Sequence, residues 1–306
     1  MNKIKWPNGK SFAFTIFDDT DNSTLNNTSP VYSFLYNNGF LTTKSVWTTT
    51  SDFGTHKGQT CLDIEYLNWL KNLNQLGYEI AYHMASCGSS TRKETIKSLE
   101  DFRNYFGYYP ITMANHSLCK NNIYWGDARF SGIEKLCYNL LTLGKNINFF
   151  KGHIPGSKYF WGDICEQKIK YVRNFVFNDI NTLKKCPQMP YHDNKKPFVN
   201  NWFASTNGIH CNEFLKVISE LNQDRLEQEG GACIIYTHFA DGFVTNGKLN
   251  NDFKLLMKRL SAKNGWFIPV NELLNYLLKY NNQQIKPNIS RLERSWLLEK
   301  IFTGYN

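Results

Sequence analysis

The chain has 306 residues, a formal net charge of +9, and 42% hydrophobic and 15% aromatic residues. That length supplies an ample core, and the composition excludes a disordered chain. No run of about twenty apolar residues exists, which argues against a membrane-spanning helix.

The lysines are spread along the chain and no nucleic-acid motif accompanies them, so nucleic acid is not an expected partner. A moderate positive field suits an anionic small substrate, such as a sugar nucleotide, or a phospholipid surface; it is equally a plain soluble basic surface. The opening MNKIKWPNGKSF is basic but has no apolar segment, so no secretory signal is expected. None of the eight cysteines forms a CxxC pair, which argues against a zinc ribbon. Reduced thiols in the cytoplasm are the simplest expectation.

Ser11 to Asp21, SFAFTIFDDTD, begins as a buried strand and ends in acid, with Asp18, Asp19 and Asp21 within four positions. Residues 28–39 read as a helix with Ser29 as cap, Pro30 in the first turn and Gly39 as stop. A strand follows near 42–48, then a polar loop over 49–61 that includes His56. Apolar spacing predicts a helix over 62–76, and a short strand at 78–82 runs into His83. The next helix starts from Ser/Thr caps near 90 and stops at Gly107, and the strand 111–115 runs into His116. Residues 117–170 look irregular, an insertion over the active face. Strands are expected at 171–178, 198–206 and 232–237, the last running into His238. A long helix fits 211–228, followed by a helix near 251–263, a strand at 266–270 and a helix at 271–280. The tail, 287–306, carries Ile289, Leu292, Trp296, Leu297 and Ile301 at roughly helical spacing and is expected to be a helix packing on the body or on a partner, with a membrane-surface role the weaker alternative. No repeat or linker appears, so residues 1–306 read as one domain.

The alternation of strands and helices argues for a parallel α/β sheet or barrel. Polar residues fall at the carboxyl ends of its strands: Asp18/Asp19, His83, Asn115/His116 and His238. In α/β folds that end is where ligands bind. Such an acidic pair also occurs as a plain strand-to-loop turn, but the recurrence on successive strands favours a site.

TIFDD at 15–19, GYEIAYH at 77–83, a strand into a polar cluster at 111–116 and IIYTH at 234–238 come in an order that resembles the polysaccharide deacetylases of the NodB-homology, carbohydrate esterase 4 type. The resemblance spans about 12–280. It implies a distorted (β/α) barrel and a divalent metal, usually zinc, used to hydrolyse N- or O-acetyl groups on sugars. It further implies Asp18 as general base, Asp19 and His83 as metal ligands and His238 as general acid. The chain departs from the family's HxxxH motif, having Cys87 at the second histidine, and has NHSLCKNN where RxPY is expected. The third ligand is therefore open between Cys87 and His116. His116 is favoured, because a carboxylate with two imidazoles is the set that suits a hydrolytic metal.

The chemistry such a set would supply is general. A divalent metal lowers the pKa of bound water from 15.7 to about 7 and polarises a carbonyl. A carboxylate takes a proton, an imidazole returns one to the leaving group, and Asn115 or a backbone N–H steadies the oxyanion. Trp125 and Trp161 are candidates to stack on a sugar ring, and Asp179, Asp163 and Arg173 to orient the site or touch substrate. The remaining histidines, His56, His153, His192 and His210, read as loop or surface residues. The expected substrate is an acylated sugar, nucleotide- or lipid-linked, in cytoplasmic assembly of a surface polysaccharide. The competing readings are an inert sugar-binding scaffold on the same fold and a hydrolase of another amide or ester. Metal analysis separates the first of these from an enzyme.

Overall fold

In the computed structural model, residues 4–51, 57–281 and 287–303 are described. Among the described residues there are ten strands: β1 (Phe12–Asp18), β2 (Thr43–Val46), β3 (Glu79–Tyr82), β4 (Thr112–Ala114), β5 (Tyr171–Phe177), β6 (Asn201–Asn207), β7 (Ala232–Thr237), β8 (Val244–Thr245), β9 (Lys248–Leu249) and β10 (Gly265–Phe267). Strands β1 to β7 pair in sequence order, all parallel, and β7 returns to pair with β1. The result is a closed seven-stranded barrel, with β10 added beside the start of β1 and β8–β9 forming a separate small hairpin.

The helices are α1 (Leu25–Asn37), α2 (Ile64–Gln75), α3 (Arg92–Phe106), α4 (Gly132–Leu141), α5 (Gly162–Lys168), α6 (Thr182–Lys185), α7 (Cys211–Val217), α8 (Glu220–Glu229), α9 (Asn251–Ser261), α10 (Val270–Asn281) and α11 (Ile289–Thr303). The fold is the expected (β/α) barrel. No described helix is long and apolar enough to cross a membrane.

Local chemistry sets most boundaries. α3 starts at a Thr91 capping box closed by Glu94 and ends where Gly107 takes φ 86°, the left-handed region that glycine enters without strain. α1 starts four residues before the expected Ser29 cap, because Thr24 and Asn27 form a reciprocal capping box and Pro30 is accommodated inside the helix. The single long helix expected over 211–228 is two, α7 and α8. Ser219 is extended between them (ψ 154°), and the Gln223 side chain donates 2.8 Å to the carbonyl of Ile218 freed by the break. The 117–170 segment holds α4 and α5, where an irregular stretch was expected.

This segment is tied to the barrel by hydrogen bonds. Asn122 donates to the His116 carbonyl (2.6 Å), Gly152 N–H donates to Asn122 (3.1 Å), and the Trp161 indole donates to Asn121 (2.6 Å). α11 packs through buried Leu292, Trp296 and Leu297, and its Trp296 indole donates 2.9 Å to the carbonyl of Val176 on β5.

At the amino-terminal end of the barrel lies a buried carboxylate, Glu79. It accepts from Thr43 on β2 (2.7 Å), Thr112 on β4 (2.8 Å) and the Asn271 backbone N–H of α10 (3.0 Å). Those groups satisfy it, but burial still pushes its carboxyl up to about 7.

Candidate active site

At the opposite end, beyond the carboxyl ends of β1, β3, β4 and β7, four polar clusters meet. Asp21, three residues past β1, is the hub. His83 Nε2 lies 3.1 Å from Asp21 Oδ2, His116 Nε2 lies 2.8 Å from Oδ1, and His238 Nε2 lies 3.5 Å from Oδ2. Asp21, His83 and His116 are all buried. Burial alone would raise the Asp21 carboxyl, but hydrogen bonds from His116, His238 and His83 hold it far below the usual carboxylate range.

Second contacts orient these imidazoles. His83 Nδ1 faces the Ala114 carbonyl at 3.3 Å and His238 Nδ1 faces that of Ile209 at 3.0 Å. A ring nitrogen facing a carbonyl carries the proton, so in the neutral rings Nε2 is the lone-pair atom and points at a carboxylate. Two acceptors in such contact require a cation or a proton between them. The donor set, one carboxylate and two imidazole Nε2 atoms, fits zinc or a similar divalent ion. His116 Nδ1 rests 3.3 Å from the Cys119 sulfur. Trp47 walls the pair, stacked on His83 at 15° and edge-on to His116. Met84, directly after His83, and Leu118, two residues after His116, adopt φ 64° and 61°. Left-handed backbone at non-glycine positions is sparsely populated and concentrates at functional sites.

Asp19 sits beside this cluster, bound by both nitrogens of Arg173 from β5 at 2.8 and 2.5 Å. Burial would raise its carboxyl; the Arg173 and His83 charges lower it on balance. Arg173 is itself clamped over the rings of Tyr236 (4.5 Å) and Phe17 (5.0 Å), so the fork cannot swing away. His83 and His238 lie 3.9 and 4.0 Å from Asp19. Burial works against a charged His238, yet its hydrogen bond to Asp21 and the charges of Asp19 and Asp21 raise it to about 9.

Asp18 is elsewhere. Its carboxylate is fully buried and accepts from Lys44 (2.9 Å), Tyr32 (3.0 Å) and the Phe239 N–H (2.9 Å). Burial raises its carboxyl on balance against the pull of the Lys44 charge, while the same attraction outweighs burial to hold Lys44 above its usual value. With three donors on the carboxylate, the charged pair is the state this pocket favours. The physical reason for the separation is strand parity. Phe17 and Asp19 turn to one face of β1, toward Arg173, while Asp18 turns to the other, toward Tyr32 of α1. The β1–β7 ladder continues to Asp19, whose N–H donates to Thr237 at 2.8 Å, so the alternation holds one residue beyond Asp18. Asp18 and Asp19 therefore do not share a pocket. Asp19 and Asp21, two apart, do.

The other sequence candidates divide. Asn115 is committed to a turn, donating to the Ile123 carbonyl and accepting from its N–H, both at 3.0 Å, which leaves its amide closed on itself rather than aimed into the site. Trp161 is 0% exposed and cannot offer a face to a sugar. Trp125 is half-buried with the Arg129 guanidinium over its ring at 4.3 Å. Asp179 pairs with Arg225 on α8 (3.0 Å) and caps Asn181, and Asp163 pairs with Arg92 (2.6 Å). Neither belongs to the cluster. Cys87 is half-buried and accepts, through its carbonyl, from the Cys119 thiol; among the described residues it belongs to none of the three metal-competent groups, of which the fully buried one is Asp21, His83 and His116. His56 lies outside the described residues. Sequence reading gave Asp21 and Arg173 no central role, and did not single out Lys44 or Trp47 for the site. The only available signal for Asp21 was its even spacing from Asp19.

No protein-family model matches the chain, and no curated protein sequence matches it. Among solved structures it is similar to a Mycobacterium smegmatis protein named as a polysaccharide deacetylase, at 10% identity over 94% of this chain and 96% of that one, with a TM-score of 0.49. It is similar to the Puue allantoinase at 9% identity over 98% and 94%, TM-score 0.49. A Pseudomonas aeruginosa protein also named as a polysaccharide deacetylase matches at 9% identity over 90% and 93%, again with a TM-score of 0.49.

Proposed function

We propose that the chain is a metal-dependent hydrolase of an acyl amide or ester, with an acylated sugar, nucleotide- or lipid-linked, as its substrate. The observation that carries this reading is the Asp21 carboxylate held against the Nε2 atoms of His83 and His116, with Asp19–Arg173 and His238 alongside. In this assignment Asp21, His83 and His116 would hold a divalent ion, zinc being the best fit. Asp21 takes the place the sequence resemblance implied for Asp19, and Asp19 the place implied for Asp18. The sugar part rests on that sequence resemblance.

When bound, the ion would supply Lewis-acid polarisation of the acyl carbonyl and acidify a water. The protein's own groups do the rest. Arg173 keeps Asp19 ionised and fixed, so that it accepts the proton released as water attacks. His238, 3.5 Å from Asp21 and 4.0 Å from Asp19, is placed to deliver a proton to the leaving nitrogen or oxygen. Trp47 and the buried histidine rings keep bulk water from the cluster, which strengthens each of these interactions.

The test is metal content by mass spectrometry together with acetate release from UDP-linked N-acetyl sugars and acylated glycans, with and without chelator. Asp21→Asn is expected to lose the metal. Asp19→Asn is expected to keep it while turnover falls about 10²- to 10⁴-fold. Full metal in Asp21→Asn, or full turnover in Asp19→Asn, overturns the assignment.

A further inference from the structure

Helix α4 is turned inside out relative to an ordinary surface helix. It sets Glu134 and Tyr138 against the body, where Tyr138 stacks on Phe130 (4.7 Å between centroids) and Glu134 pairs with Arg294 (3.0 Å). Its aliphatic face points to solvent. Ile133, Leu136 and Leu140, continued by Leu143 and Ile147 in the following turn, are 48% to 85% exposed. Spacings of three and four residues place the first three on one stripe. Five large aliphatics on one short segment are more than the scattered apolar residues normal on a surface, and mark an interaction site.

The charge of the same segment states what it meets. From residue 135 to residue 162 the sequence contains Lys135, Lys145, Lys151 and Lys158 and no aspartate or glutamate. Lys135 pairs with Asp127 at 3.1 Å; the other three form no salt bridge among the described residues. Lys135, Lys151 and Lys158 also line a cavity of about 520 Å³, together with the ring of Tyr159 and the buried Asp127. An exposed aliphatic stripe on a segment whose charged residues past Glu134 are all lysines, beside a lysine-lined cavity, matches a surface that is apolar below and anionic above. A second copy of the chain is disfavoured, because it would set lysines against lysines.

We propose that α4 and the 143–158 turn form a peripheral docking face for an anionic lipid bilayer. The stripe enters the headgroup boundary and the lysines, with the cavity they line, receive lipid phosphates. The segment is the one hydrogen-bonded through Asn122 to the carbonyl of His116, so a docked bilayer lies against the insertion that adjoins the proposed catalytic cluster. The inference stands on the surface alone and does not need the hydrolase reading.

The experiment is co-sedimentation of the full chain with vesicles of phosphatidylcholine alone and with 30% phosphatidylglycerol, at about 0.1 M salt. Binding is expected to the anionic vesicles only. Lys145→Gln/Lys151→Gln should weaken it roughly 30-fold, at about fivefold per lysine. Leu136→Ser/Leu140→Ser should weaken it at least about tenfold, the effect of withdrawing two buried aliphatics. Leu221→Ser, an exposed aliphatic on α8, should leave it unchanged. No binding to anionic vesicles, equal binding to both vesicle types, or equal loss in Leu221→Ser overturns the proposal. So does a concentration-dependent dimer that Leu136→Ser/Leu140→Ser abolishes, which would assign the stripe to a second copy. Each variant is checked for an unchanged melting curve. Because the readout is sedimentation, a protein that binds vesicles and releases no acetate leaves this proposal standing while the catalytic one fails.

Discussion

Replacing Glu79 by Gln should make the protein less sensitive to alkali. Glu79 is buried at the base of the barrel with its carboxyl pushed up to about 7 by desolvation, against an ordinary value of 4.5. A carboxyl whose folded pKa is raised contributes stability that is fully present below the unfolded pKa and is lost as pH rises through the folded one. A gap of about 2.5 units at 1.36 kcal/mol per unit is about 3 kcal/mol, lost between roughly pH 4.5 and 7. Gln keeps the shape of the protonated acid. Its oxygen accepts from Thr43 and Asn271, and its amide nitrogen turns to the Thr112 hydroxyl. The variant should therefore gain about 2.5 kcal/mol relative to the parent between pH 5 and pH 8, a relative rise of about 4 °C in Tm for a chain of this length. Melting both proteins at several pH values in that range is the assay, and the difference between them removes every other titration. A Tm difference that stays constant from pH 5 to pH 8 would falsify the claim that burial keeps Glu79 protonated.

Two further outcomes follow from the buried ion pairs. Lys44→Met strands Asp18, fully buried, without its counter-charge and should cost about 3–5 kcal/mol in denaturant unfolding, whereas Lys44→Met/Asp18→Leu should recover most of that loss. An equal loss in the double variant would show that the pair is not the source. Arg173→Met frees Asp19 and lets its pKa rise, so kcat should fall about 100-fold with metal retained, and the acidic limb of the pH–rate profile should move to higher pH. An unmoved acidic limb would remove Arg173 from the role of holding the base.

Periodicity and end signals made the barrel legible in the sequence. The β1 run, the Thr91 and Gly107 boundaries of α3, and the arrival of His83, His116 and His238 at strand ends are local facts, each set by residues within a turn of one another. The break within 211–228 is not legible in the sequence for the complementary reason. It depends on Gln223 reaching back to Ile218, a side-chain choice that an apolar pattern does not register.

The residue types and their order determined that carboxylates and imidazoles would collect at one end of a parallel barrel, because strand direction fixes which end each one occupies. Which carboxylate does what was decided only by tertiary structure. The ladder from β7 runs one residue past Asp18, so alternation sends Asp18 out to Lys44 and Tyr32 and turns Asp19 inward to Arg173. Lys44 and Arg173 lie 26 and 154 residues from their partners, beyond any periodicity a sequence displays. A shift of one position along a strand exchanges the two faces of the wall, and only the neighbouring strands can set that register.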